Sequence, residues 1–232
     1  TSSFSMIVLE KELSKPYEMI DMVTTPDGSL VAMVHCNNCT SDLNAWVNLF
    51  KEYQELLGIP VDMDELYGKR YNIALTGDTD CGGLLSYTYI SGEPVTGLAE
   101  GRPLFVRSAN DKFNLANFMR AHLYASVGVL KIGNDILFNE EKIKVDRITG
   151  HGGLFRTKGV GQRVLAAAIN SPISVMETAG EGGAWGIALL GSYLVNNKKG
   201  QSLADFLDES VFVSDAGVEV SPTPEDLSLI HI

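Results

Sequence analysis

Short β-rich runs of apolar residues fill the first 36 positions of the chain. Ser5-Met6-Ile7-Val8-Leu9, Met19-Ile20-Asp21-Met22-Val23 and Leu30-Val31-Ala32-Met33-Val34 each predict a strand. Pro26-Asp27-Gly28 supplies a turn between the last two. Three strands joined this closely predict an antiparallel meander. The period then changes to three or four: Leu43, Trp46 or Val47, Phe50, Tyr53 and Leu57 mark a helix. Thr40 or Ser41 would cap it, and Gly58-Ile59-Pro60 would stop it. A less regular helix is expected over residues 64–75.

A polar, glycine-containing loop follows at residues 77–83, then a strand at residues 84–89 and a long loop at residues 91–102. Leu115, Phe118, His122, Ala125, Val129, Ile132 and Ile136 form the strongest helical stripe in the chain. Residues 142–149 alternate Ile143, Val145 and Ile148 with charged side chains and predict a strand. Gly150-His151-Gly152-Gly153 breaks it, and residues 160–169 read as a helix. Ile173-Ser174-Val175-Met176 is a short strand, and residues 182–194 form an apolar helix of small residues. This second half alternates strand and helix, so the fold class is α/β, a mixed sheet flanked by helices. Ser221-Pro222-Thr223-Pro224 reads as a linker, so the expected division is one domain over residues 1–220 and a linker or truncated tail over residues 221–232.

Composition narrows the picture. The 232 residues are 45% apolar, enough to bury a large core, and carry 18 basic against 29 acidic residues for a net charge of −11. That balance argues against a nucleic-acid-coating surface. An anionic ligand would therefore need a local site. Three cysteines make no disulfide framework and fit a reducing, cytoplasmic setting. No run of about 18 apolar residues exists, so no spanning helix and no membrane partner are expected. The chain begins Thr1-Ser2-Ser3 without Met, as a piece of a longer protein would.

The glycine turn at residues 150–153 is the best candidate for chemistry. Between a strand and a helix, such a turn lets backbone approach a ligand and points N–H groups at it. The helix N-terminus adds about half a positive charge without a basic side chain. The pattern is neither the dinucleotide fingerprint, because Phe155 stands where the third glycine would fall, nor a P-loop. A plain structural turn is the competing reading. Gly183, Gly186 and Ala188 leave one helix surface nearly bare, suited to a second helix or a planar ring; Glu177 and Glu181 at its start read as caps. His151 is the one histidine near a plausible ligand, and His122 reads as a hydrogen-bonded core residue. Cys36 and Cys39 form a Cys-x-x-Cys, but only Cys81 remains to complete a zinc site. Asp78 and Asp80 are weak candidates for a general base.

Several of these stretches resemble one family when taken in order. Ile148-Thr149-Gly150-His151-Gly152-Gly153-Leu154-Phe155-Arg156-Thr157, Gln162-Arg163-Val164-Leu165-Ala166, Pro172-Ile173-Ser174-Val175 and Ala184-Trp185-Gly186-Ile187-Ala188-Leu189-Leu190 resemble the C-terminal domain of FGGY carbohydrate kinases. Tyr89-Ile90-Ser91-Gly92-Glu93-Pro94 resembles that family's Ser-Gly-Glu strand and loop. The likeness is strongest to xylulokinase- and ribulokinase-like members. It implies an actin-like, ribonuclease-H-like ATPase fold and an ATP-dependent kinase, with Mg²⁺, acting on a ketose such as xylulose or ribulose. It further implies that this chain is the nucleotide-side domain, cut within a phosphate turn at Thr1. Gly152 and Gly153 would be the adenosine-motif glycines, Thr157 would lie near the adenine, and Asn38 near a second nucleotide contact. The sugar contacts and the catalytic base would lie outside the chain, leaving the fragment inactive. A homodimer of the full-length protein is a candidate assembly. The alternative reading is a non-catalytic regulatory or scaffold domain of the same fold.

Overall fold

A computed structural model describes residues 2–212 and 217–227. Three strands open the chain: β1 (Ser3–Val8), β2 (Asp21–Thr24) and β3 (Leu30–Cys36), all paired antiparallel in the order β1-β3-β2. The expected hairpin joins β2 to β3, where Gly28 takes φ +93° and its amide donates to the Thr25 carbonyl at 3.0 Å. The meander is corrected, because β1 pairs with β3 rather than β2, Met6 lying opposite Met33. Residues 9–20 are long enough to carry the chain past β3 to its far side. One sheet face buries Ile7, Ala32, Val34 and Cys36; the other leaves Phe4, Met6 and Val8 exposed.

Helix α1 (Ser41–Leu56) ends at Gly58, and α2 (Met63–Ala74) is capped by the Asp62 carboxylate, which accepts from the Glu65 amide at 3.1 Å. Strands β4 (Leu85–Tyr87) and β5 (Leu104–Val106) form a hairpin; β5 was not expected from the residue pattern. Helix α3 (Leu115–Asp135) starts at Asn114, whose side chain accepts from the Asn117 amide at 2.9 Å. It is the spine of the molecule. Its first half packs with Leu43, Val47, Leu66, Val160 and Val164, and its second half with Ile7, Val34, Ile136 and Leu137. A side chain at Gly133 would start 2.4 Å from Val34, so a glycine is what brings α3 onto β3.

The strand expected over residues 142–149 shrinks to β6 (Ile148–Thr149). Lys142 sits in the left-handed region at φ +57°, and Ile143 and Val145 reach the core from irregular backbone. Helix α4 (Val160–Ile169) then leads to β7 (Ile173–Val175), which lies parallel to β6 and antiparallel to β8 (Val218–Val220). Helices α5 (Gly182–Asn196), α6 (Leu203–Ser210) and α7 (Pro224–Leu227) complete the described chain. The stretch read as a linker holds a docking residue. Asp226 is fully buried, receives the Arg120 guanidinium at 2.8 Å and is bound also by Arg163. The mixed α/β class expected from the sequence is observed.

Candidate functional site

The glycine turn begins where the β6 pairing ends. The Gly150 amide donates to the Ser174 carbonyl at 2.8 Å, extending the parallel ladder by one bond. A side chain at Gly150 would start 2.5 Å from the Phe155 ring, which folds back over the turn. Phe155 thus fills the place left by an absent third glycine. Gly152 adopts φ +112° and ψ 177°, a conformation open essentially to glycine alone. Its amide donates to the Ala179 carbonyl at 2.7 Å, which ties the turn to the 3₁₀ segment Glu177–Glu181 ahead of α5. Gly153 starts a second 3₁₀ segment, Gly153–Arg156. A side chain built at Gly152 or Gly153 would meet nothing within 4 Å, so the backbone here faces open space.

Two helical starts converge on this opening. Neither the Gly153–Arg156 segment nor α5 receives a side-chain cap. Glu181, expected as a cap, instead pairs with Arg156, both side chains well exposed. Such a pair contributes little to stability in water and can exchange partners. His151 packs against the first turn of α5: a side chain at Gly182 would start 2.6 Å from its Nδ1. Partial burial there holds the imidazole below the usual histidine pKa, toward its neutral form. The half-buried Thr157 follows in extended conformation.

Asn38 lies in a different environment. It is buried between β3 and α1, where its Oδ1 accepts from the Ser91 amide at 3.0 Å. Its Nδ2 donates to the Ser91 carbonyl and to Glu93 Oε2, each at 3.1 Å, and its own amide donates to Glu93 Oε2 at 3.2 Å. The side chain is fully engaged in clasping the loop after β4. Thr1 lies outside the described residues. Gly152 and Thr157 therefore flank the one 3₁₀ segment that Gly153 begins, while Asn38 is engaged with Ser91 and Glu93. Sequence reasoning missed Arg156, His151 against Gly182, and the Ala179 carbonyl; Arg156 was visible in the motif, but its partner Glu181 was not.

Other candidates prove structural. His122 is fully buried, its Nδ1 3.0 Å from Ser86 Oγ and 3.5 Å from Asp42 Oδ2. Burial lowers its pKa to about 4, which keeps the imidazole neutral, and raises the carboxyl of Asp42 above its usual range. Cys36, Cys39 and Cys81 are free and buried, and burial raises Cys36 and Cys81 to about 12. Asp78 is tied to Lys112 at 3.1 Å and to Asn117 at 3.2 Å; hydrogen bonding to Lys112 holds its carboxyl below the usual range, unlike a general base.

An open glycine backbone, two uncapped helical starts and a neighbouring parallel strand pair suit a nucleotide-binding turn. The model of the FGGY family of carbohydrate kinases, C-terminal domain, matches residues 1–195. The chain belongs to that family. Among solved structures, the xylulose kinase from Rhodospirillum rubrum aligns over 99% of this chain and 42% of its own, at 16% identity and a TM-score of 0.68. A xyloylose kinase from Brucella ovis aligns over 99% and 43%, at 18% identity and a TM-score of 0.68. The glycerol kinase from Plasmodium falciparum, solved with ADP, aligns over 98% and 43%, at 15% identity and a TM-score of 0.65. No curated protein matches the sequence. These FGGY-type structures confirm the actin-like ATPase fold that the motifs imply. The chain spans about two fifths of the length of the kinases it resembles. No helix among the described residues is long and apolar enough to cross a membrane.

Proposed function

We propose that this chain is the nucleotide-side domain of an ATP-dependent sugar kinase that transfers the γ-phosphate to a ketose such as xylulose or ribulose. The observation that carries the reading is the unobstructed backbone at Gly152 and Gly153, flanked by two uncapped helical starts. Such a site holds an anionic ligand through N–H groups and helix dipoles, as an acidic chain of net charge −11 requires. The Arg156 and Glu181 pair gates the rim, Arg156 being free to turn toward a phosphate when Glu181 releases it. Thr157 contributes a polar contact toward the base.

Phosphoryl transfer also needs a group to accept the hydroxyl proton and Mg²⁺ to neutralise the phosphates. Among the described residues no three His, Cys, Asp or Glu side chains converge to hold a metal. In this reading the Mg²⁺ arrives with ATP, and the base and sugar contacts come from outside the chain, which by itself does not turn over. Three free, buried thiols support a cytoplasmic setting.

Titration calorimetry with ADP and Mg²⁺ tests the reading, and weak, saturable binding is expected. Gly153 lacks a positive φ and faces open space, so Gly153→Val should fold normally and lose ADP binding by at least about tenfold. No heat at millimolar ADP with the wild-type chain, or unchanged binding by the variant, would overturn the assignment of this turn.

A further inference from the structure

The glycine turn is tied to the start of α5 through successive residues. The Gly152 amide donates to the Ala179 carbonyl at 2.7 Å, Arg156 pairs with Glu181, and His151 lies against Gly182. The first tie is a backbone bond, and the second joins two well-exposed side chains that exchange partners readily in water. The last is steric. A side chain built at Gly182 would start 2.6 Å from His151 Nδ1 and 2.8 Å from its Cβ and Cγ. Turning the imidazole relieves the ring contact but not the one at Cβ, so a side chain at residue 182 forces the two backbones apart.

The backbone does not itself ask for glycine there. Gly182 has φ −53° and ψ −38°, ordinary helical angles that any residue adopts. The three atoms nearest to such a side chain all belong to His151, whereas side chains at Gly183 and Gly186 would meet nothing within 4 Å. At the other end of the turn, the Phe155 ring stands 2.5 Å from where a side chain at Gly150 would begin. Two rings therefore bracket the turn, each over a glycine, and fix where its backbone runs. His151 stays exposed overall, so it fills no core. Partial burial keeps its imidazole toward the neutral form, which suits a place beside a helix N-terminus, where a cation is disfavoured.

We propose that His151 is a positioning residue: wedged against Gly182, it sets the gap between the glycine turn and α5 that admits a nucleoside diphosphate. The proposal rests on the nucleotide reading of the turn. Titration calorimetry with ADP and Mg²⁺ on the 232-residue chain and its variants tests it. His151→Gly, which removes the wedge, should weaken ADP binding at least about tenfold. His151→Asn keeps Cβ, Cγ and a polar atom at the Nδ1 position, and should bind within about threefold of the parent. Gly182→Ala should weaken ADP binding and lower the melting temperature. In the His151→Gly background it should do neither, because alanine is the better helix residue once the clash is gone. A parent that binds ADP but is indifferent to His151→Gly overturns the role of His151 and leaves the site standing. Equal losses in His151→Gly and His151→Asn overturn it too, since the ring would then touch the ligand itself. So do strictly additive effects of Gly182→Ala and His151→Gly on melting temperature, which is read without ligand. A parent that binds no ADP overturns the nucleotide reading itself, and this role with it.

Discussion

Asn38 and the turn at Gly152 and Gly153 both match expected nucleotide contacts, yet the fold treats them in opposite ways. At Asn38 every side-chain polar atom is spent: the oxygen on the Ser91 amide, the nitrogen on Ser91 and on a fully buried Glu93. At the glycine turn the Gly150 and Gly152 amides are paired, but side chains built at Gly152 and Gly153 would meet nothing within 4 Å, and no side chain caps the helical starts. A polar residue whose bonds are all satisfied inside the protein has no capacity left for a ligand without a cost. A backbone left open has that capacity from the outset. The first region stabilises the fold, and the second leaves room for the ligand proposed above.

The clasp should give the largest effect on folding. Asn38→Ala removes the side-chain bonds to the Ser91 amide, the Ser91 carbonyl and Glu93, and leaves the Glu93 carboxylate with only the residue 38 amide on Oε2. Losing two neutral hydrogen bonds and one to a carboxylate costs about 3–5 kcal/mol, a fall in melting temperature of roughly 6–20 °C for a chain of this size. Adding Glu93→Gln in the Asn38→Ala background should recover part of the loss, as expected for two residues coupled in one network. Thermal and urea denaturation would report both. An Asn38→Ala protein that melts normally but no longer binds ADP would reverse the comparison and make Asn38 a ligand contact.

The next effect is on pH. Strand β4 delivers the clasp loop, and its Ser86 is held against His122. In the unfolded chain His122 gains its proton near pH 6.5; in the folded state burial delays this to about pH 4. The unfolded state therefore binds more protons across that window, and stability falls as pH drops from about 6.5 to about 4, then levels off. The shift bounds the loss at roughly 3 kcal/mol. Asp42, the carboxyl facing His122 from α1, works the other way: its raised pKa favours proton uptake in the folded state and reduces the loss. His122→Gln should flatten the acid limb of the stability curve. An acid limb unchanged by that substitution would show that other groups set it.

How much of this was legible in the sequence depends on how local each cause is. The boundaries of α4 coincide with the expected residues 160–169 because both ends are written locally, in Gly159 at φ +80° and Asn170 in the left-handed conformation. The hairpin turn at Gly28 is local too. The order β1-β3-β2 is not, since it depends on a connection that passes across the sheet. Three-residue β5 is too short to show an alternating pattern. The false strand before β6 arose because Ile143 and Val145 bury their side chains without pairing their backbone. Glu93 is 55 residues from Asn38, so no spacing rule could have revealed that Asn38 was committed. Asp226 joins helices 106 and 63 residues upstream for the same reason. At the glycine turn the motif singles out the residues, while the open space beside Gly152 and Gly153 belongs to the packing.

The smallest effect separates two adjacent glycines. Gly152→Ala forces a side chain into φ +112° and ψ 177°, at a cost of about 2 kcal/mol that no space around it can relieve. Gly153→Ala meets neither strain nor contact and should fall within about 0.5 kcal/mol of the parent. A difference of this size corresponds to about 3–6 °C in melting temperature, measurable by scanning calorimetry without ligand. The order matters for the comparison with Asn38. If Gly153 proves the costlier site, the turn is held by packing that these contacts do not account for, and its role becomes structural like that of the clasp. If Gly152 is costlier and Gly153→Ala lowers ADP affinity without touching stability, then one glycine sets the shape of the turn and its neighbour leaves room for the ligand.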